Sequence, residues 1–181
     1  LRVENLYYNS VSGKQLLQSV SFSLYRGRIL GVAGVEGNGQ KELSEILTGL
    51  RSFTRGEITL EGESVKGKSV RQIRQMGISN ISEDRMTYGC APTMSVTDNI
   101  IADRYYSGKY SHGIRLDVKA IRHDVEELVK TFDVVCPGTA SMSGMLSGGN
   151  IQKMIAAREF TSGARVIVAN QPTRGIDVGS S

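Results

Sequence analysis

GVAGVEGNGQKEL, residues 31–43, is the stretch on which the reading of the fold turns. It overlaps the apolar run ILGVAG, which reads as a strand buried on both faces. Beyond Gly39, QKELSEILTGL places Leu43, Ile46, Leu47 and Leu50 along one helical face. Strand, glycine loop and helix in that order make a phosphate loop. Gly34, Gly37 and Gly39 keep the backbone cradle of N–H groups, and the next helix adds the positive end of its dipole. The side chains of the usual G-x-x-x-x-G-K-[ST] pattern are missing. Gln40 stands at the lysine position, Lys41 at the hydroxyl position, and Glu42 follows. Glu36 also puts a carboxylate inside the loop, where it repels a triphosphate. The nucleotide-binding set read here is Gly34, Glu36, Gly37, Asn38, Gly39, Gln40, Lys41 and Glu42. Exchanging a charged contact for a neutral one loses ~1–2 kcal/mol, or roughly tenfold in affinity. Weak binding is the expectation, with a plain strand–turn–helix junction as the alternative. A dinucleotide G-x-G-x-x-G fails, because Glu42 occupies its last glycine position.

The chain has 181 residues, enough for one good-sized domain with a core. Its net charge of +4 comes from 22 basic and 18 acidic residues, with no long basic block, which argues against nucleic acid as a partner. No run approaches the roughly 18 apolar residues of a membrane span, and LRVENLYYNS is no signal peptide. A soluble chain able to dock on a membrane protein is expected. Cys90 and Cys136 lie in no metal spacing and read as buried small hydrophobes in a reducing compartment.

The remaining pattern is ordered. SVSFSL alternates as a half-buried strand, GEITLEGESV reads as a hairpin turning at Glu61–Gly62, and SVRQIRQMG reads as a short helix ending at Gly77. GISNIS is a further strand, and residues 96–135 are expected to be mainly helical. Ile121, Val125, Leu128, Val129 and Phe132 form a core-facing stripe there. IQKMIAAREF reads as a helix and RVIVAN as a buried strand.

A second motif lies far along the chain. Residues 146–153 read LSGGNIQK, and residues 166–177 read VIVANQPTRGID. LSGG resembles the signature of ABC-type ATPases, and the later run resembles their Walker B strand and D-loop. Order and spacing fit over essentially the whole chain. LSGGN with QPTRGID resembles the carboxyl-terminal ATPase half of tandem simple-sugar and nucleoside importers. SEDR at 82–85 resembles the PEDR run that those halves carry near the Q-loop.

The resemblance implies an α/β P-loop NTPase with a RecA-like core, an antiparallel β flap and a helical signature subdomain. The core would hold residues 1–85 and 158–181, the signature subdomain residues 86–157. It implies an ATPase by family, with ATP as ligand and Mg2+ at the partner's site but doubtful at this one. Glu83 falls at the Q-loop position, Gln171 at the general-base position, Asn170 at the magnesium-supporting aspartate, and Asp177 in the D-loop. An amide takes no proton, and losing a general base costs ~10²–10⁴ in rate. This segment alone is therefore expected to be hydrolysis-deficient, with no intact catalytic group and no metal of its own. Leu146, Ser147, Gly148, Gly149 and Asn150 keep the signature. In ABC dimers that signature closes over nucleotide held by the other half. Implied partners are a second ATPase half in the same parent chain and membrane permease subunits, at the cytoplasmic face of the membrane. The family's switch histidine lies after the D-loop, whereas His112 and His123 precede the signature, so the chain reads as truncated at its C-terminus. Tyr7 and Tyr8 are candidates for the adenine platform, with ordinary core or surface roles as the alternative. Rival readings are a hydrolysis-competent ATPase with rearranged use of Lys41 and Gln171, and a nucleic-acid-linked ABC ATPase without transport.

Overall fold

The computed structural model describes residues 1–35 and 37–173. Two compact units divide the chain: Leu1–Asn80 with Ala164–Val168, and Ile81–Gly163 with the segment from Ala169. In the first unit, β1 (Arg2–Asn9), β2 (Gln15–Ser23), β3 (Arg55–Leu60) and β4 (Glu63–Ser64) form an antiparallel sheet in the order β2-β1-β3-β4. This is the expected flap. Glu61 and Gly62 turn with φ of 51° and 86°, the paired positive values of a two-residue hairpin.

The inner face of the sheet carries Val3, Leu6, Leu17, Ile58 and Leu60. These pack with Leu43, Ile46 and Leu47 of α1 (Gln40–Leu47) and Ile73 of α2 (Val70–Met76). Each such side chain contributes about 1.5–3 kcal/mol by leaving water. Helix α2 starts with a reciprocal cap, Ser69 hydroxyl accepting from Gln72 N–H while Gln72 Oε1 accepts from Ser69 N–H at 2.8 Å. It ends at Gly77, as the sequence implies. β5 (Ile78–Ile81) then pairs with β8 (Val166–Ala169). Val166 N–H donates to Gly77 O at 3.0 Å and Asn170 N–H to Ile81 O at 2.9 Å, so the two strands run parallel.

Two expectations for this unit need correction. ILGVAG forms no strand: Ile29 is 100% exposed and Val35 74%. An apolar run has the capacity to be buried, but burial needs neighbours on both edges and both faces. Among the described residues, β5 and β8 pair only with each other, and no strand flanks residues 29–34. For the same reason only Val166 of β8 is fully buried. Leu50 falls beyond the end of α1 and is exposed rather than part of its buried face.

The second unit is mainly helical. It comprises α3 (Val96–Ile101), the hairpin β6 (Ser111–His112) and β7 (Arg115–Leu116), α4 (Val118–Thr131) and α5 (Gly148–Phe160). The hairpin interrupts a stretch that sequence reads as helical, turning at Gly113 with φ 67°. On α4, Ile121 and Val125 are buried, while Leu128, Val129 and Phe132 are partly covered. Both cysteines are half-buried rather than buried. Burial pushes the Cys90 thiol up, against the opposing pull of a Ser143 bond, Arg158 and Arg85. No helix among the described residues is long and apolar enough to cross a membrane.

Asp124 of α4 accepts a hydrogen bond from Tyr110 Oη at 2.7 Å and an ion pair from Lys109. Burial, helped by Asp124, pushes the Tyr110 hydroxyl up to about 12. Burial also disfavours the Asp124 carboxylate, yet Lys109 and Tyr110 outweigh it and hold the carboxyl below the ordinary value of 3.8. A carboxyl lowered in the folded state stabilises above its unfolded value and loses that effect as pH falls through the lowered one. Asp124→Asn is therefore expected to cost roughly 1 kcal/mol at neutral pH, lowering Tm by ~2–4 °C. Thermal melts from pH 7 to pH 3 test this: the gap to the parent protein should close below pH ~4.

Candidate functional site

The glycine loop is shaped by its approach to β2. Gly39 has φ 97°, and a β-carbon there would lie 2.8 Å from Leu16 O and 2.9 Å from Leu17 Cδ2. Only glycine lets α1 start so close to the strand. Gln40 then turns back into the loop: its Nε2 donates to Val35 O at 3.2 Å, and its amide fills the space beside Gly34. The loop is thus closed by its own side chain at the position where lysine would reach a phosphate. Lys41 points outward, 60% exposed, with Nζ 4.0 Å from Glu45 Oε1. Arg51 already holds Glu45 at 2.6 Å. Asn38 and Gly37 are exposed, Glu42 is half-buried in the first turn of α1, and Glu36 lies outside the described residues. Tyr8 is buried, donating no open face because Arg51 stands 5.2 Å above its ring; Arg55 covers Tyr7 at 5.5 Å. Neither presents an uncovered platform.

In the second unit the strand exit and the Q-loop position meet. Gln171 Nε2 donates to Glu83 Oε1 at 3.0 Å, and Gln171 has φ 48°, a left-handed conformation that a side chain rarely adopts. Asn170 N–H is tied to Ile81 O at 2.9 Å. Gln152 of α5, only 3% exposed, donates to Pro172 O at 2.8 Å. Three bonds therefore fix Asn170, Gln171 and Pro172 in succession. Asp177 lies outside the described residues.

The signature forms the start of α5. Ser147 is its N-cap with extended backbone, and its hydroxyl oxygen accepts from Asn150 N–H at 3.4 Å and Asn150 Nδ2 at 2.9 Å. Asn150 Oδ1 in turn accepts from Val135 N–H at 2.8 Å. With its oxygen engaged, the exposed Ser147 hydroxyl has its hydrogen to donate outward. Leu146 is buried, which anchors the loop on the core, and Gly148 and Gly149 are half-covered in the first turn. The arrangement suits an anionic acceptor at a helix N-terminus.

Sequence reading missed the groups that hold this helix. Asn99, buried on α3, donates to Ala91 O, Ser95 O and Ser143 Oγ and accepts from Ala91 N–H. Arg158 donates to Glu159 at 2.7 Å, to Gly89 O at 2.7 Å and to Asn99 O at 3.4 Å. No local pattern in the sequence marks them, because Arg158 and Glu159 stand in a helix that also carries Asn150, Gln152 and Lys153, and their burial appears only in the fold. His123, Asp124 and Glu127 on α4 bring three ligand atoms within 4.8 Å of one another, but a cation there would have to displace Lys109 from Asp124.

The sequence pattern of the ABC transporter family matches residues 17–174. The chain is 41% identical to the glucose import ATP-binding protein TsgD13 of Haloferax volcanii over 99% of its own length and 33% of that protein's. It is 36% identical to the guanosine import ATP-binding protein NupO of Bacillus subtilis, covering 99% of the chain and 35% of the relative. The chain thus spans about a third of the length of the curated relatives it matches. In fold it is similar to the dimeric bacterial ABC transporter cassette MJ0796, with a TM-score of 0.81 at 17% identity over 99% of this chain and 77% of that one. An α/β P-loop NTPase fold and these matches agree, and the chain belongs to the ABC transporter family of ATP-binding proteins.

Proposed function

We propose that this chain is one ATP-binding half of an importer for simple sugars or nucleosides, with a degenerate nucleotide site of its own and a signature that completes the site of a partner half. The observation that carries the reading is the contrast between Gln40, folded into its own loop, and Ser147, held with its hydroxyl ready to donate. Relatives named for glucose and guanosine import support the solute class. Their threefold greater length leaves room for the intact half in the same parent chain. Functionally, residues 1–85 and 158–181 serve as the ATP-binding core and residues 86–157 as the signature subdomain, although Asn170–Pro172 fasten to Ile81, Glu83 and Gln152. The assembly works on the cytoplasmic face of the membrane against permease subunits, and the modest charge gives no handle for nucleic acid.

The parts at this chain's own site are Gly34, Gly37, Asn38, Gly39, Gln40, Lys41 and Glu42, with Glu36, Glu83, Asn170, Gln171 and Asp177. ATP with Mg2+, bound by the partner half, supplies the reactive phosphate that this signature meets. Ser147 donates to it, Gly148 and Gly149 allow close approach, and Asn150 keeps the serine in place.

Alone, the chain is expected to release no phosphate from ATP, because Asn170 and Gln171 offer no carboxylate; steady release abolished by Gln171→Ala overturns this. Nucleotide binding to the chain should be weak and no tighter with magnesium than with a chelator, since Lys41 and Asn170 replace both protein groups that recruit the ion; calorimetric titration in both conditions decides. In the full two-half protein, Ser147→Arg is expected to cut ATP turnover by ~10² or more by setting bulk and charge against the bound triphosphate. Turnover that survives the change removes the signature from the working site.

A further inference from the structure

The run SEDR contributes a residue that the functional reading leaves without a role. Asp84 caps a single π-helical turn, Arg85–Gly89, its carboxylate accepting from Met86 N–H at 3.1 Å and Thr87 N–H at 3.0 Å. The far end of the turn is fastened to α5. Gly89 O accepts from Arg158 Nη2 at 2.7 Å, and a β-carbon on Gly89 would lie 2.8 Å from Ile155 Cδ1. A turn fixed at both ends holds the Cα of Arg85 in a set position beside α5.

That side chain reaches the signature. A β-carbon on Gly148 would lie 2.6 Å from Arg85 Nη2, 3.1 Å from Cζ and 3.6 Å from Nε. The guanidinium therefore fills the space that any larger residue at position 148 would need. Gly148 is the first helical residue after the capping Ser147, so the guanidinium rests at the helix N-terminus. Two effects follow. A planar group packed against the first turn limits how far Ser147 and Gly148 can shift. Its permanent charge adds to the partial positive charge of the helix end, where an anion is received.

We propose that Arg85 is a positioning residue of the signature, its guanidinium packing on Gly148 to hold the Ser147 loop and to supply the positive charge that draws the partner half's triphosphate onto it. The inference rests on the signature acting in trans.

The test uses the full two-half protein with its permease subunits, and measures ATP turnover over a range of ATP concentrations. Arg85→Ala is expected to raise the half-saturating ATP concentration roughly tenfold, with a smaller change in kcat and Tm kept. Arg85→Gln, which keeps a polar side chain but shortens it and removes the charge, should do the same, and it serves if the alanine variant folds poorly. Arg85→Lys, which keeps the charge, should stay within about threefold of the parent protein. A half-saturating concentration unchanged in Arg85→Gln overturns the proposal, as does a lysine variant as impaired as the alanine one. Ser147→Arg measured in parallel separates the two levels. If Ser147→Arg abolishes turnover while the Arg85 variants behave as the parent, the signature reading stands and the role of Arg85 falls. If Ser147→Arg is harmless, both fall.

Discussion

A charged pair sealed inside the second unit sets the position of everything the signature does. Glu159 has no exposure to solvent, and its neighbour Arg158 neutralises it while donating to Gly89 O and Asn99 O. A buried charge left without its partner costs about 3–5 kcal/mol, so this pair tolerates few arrangements of α5. Arg104 adds bonds to the carbonyls of Arg158 and Thr161 at the end of the same helix. Because the C-terminal end of α5 is fixed in this way, the N-terminal end, with Ser147 and Asn150, is fixed too. The apolar residues of α5 alone would not specify that orientation, since they are buried on nearly every side.

The glycine loop and the start of α5 depend on different physical features. A phosphate loop needs side-chain charge, and Gln40 replaces it with an amide that finds a better acceptor in Val35 O than in an empty loop. A signature needs only backbone approach and one hydroxyl, which Ser147, Gly148 and Gly149 still provide. At the start of α5 the Ser147 side chain is also the cap that a helix start requires.

Parts of the flap were legible because their signals are local: alternation in SVSFSL and the Glu61–Gly62 turn each act within a few residues, whereas β1, which pairs with both β2 and β3, was not read as a strand. The run 29–34 was not, because a strand buried on both faces is defined by neighbours that its own residues do not specify. The hairpin at 111–116 was missed for another reason: its strands are only two residues long, too short for period-two alternation to show. In the site, motif positions were readable from spacing. The contacts that join them were not: the bonds of Gln171 with Glu83 and Gln152 with Pro172, and the approach of Arg85 to Gly148, span 20 residues or more of sequence.

Those long-range bonds bear on how the two half-sites influence one another. Helix α5 presents Ser147 at its start and, just over a turn later, holds Pro172 O through Gln152. Pro172 follows Gln171, whose left-handed backbone leaves it few other conformations that keep the bond to Glu83. A rotation of α5 that moves Ser147 must therefore strain the Gln152–Pro172 bond, or carry Gln171 with it. A helix whose side holds the neighbouring strand exit cannot shift its tip without loading that exit. Gln152 thus ties the helix that Ser147 caps directly to Pro172, the residue that follows Gln171.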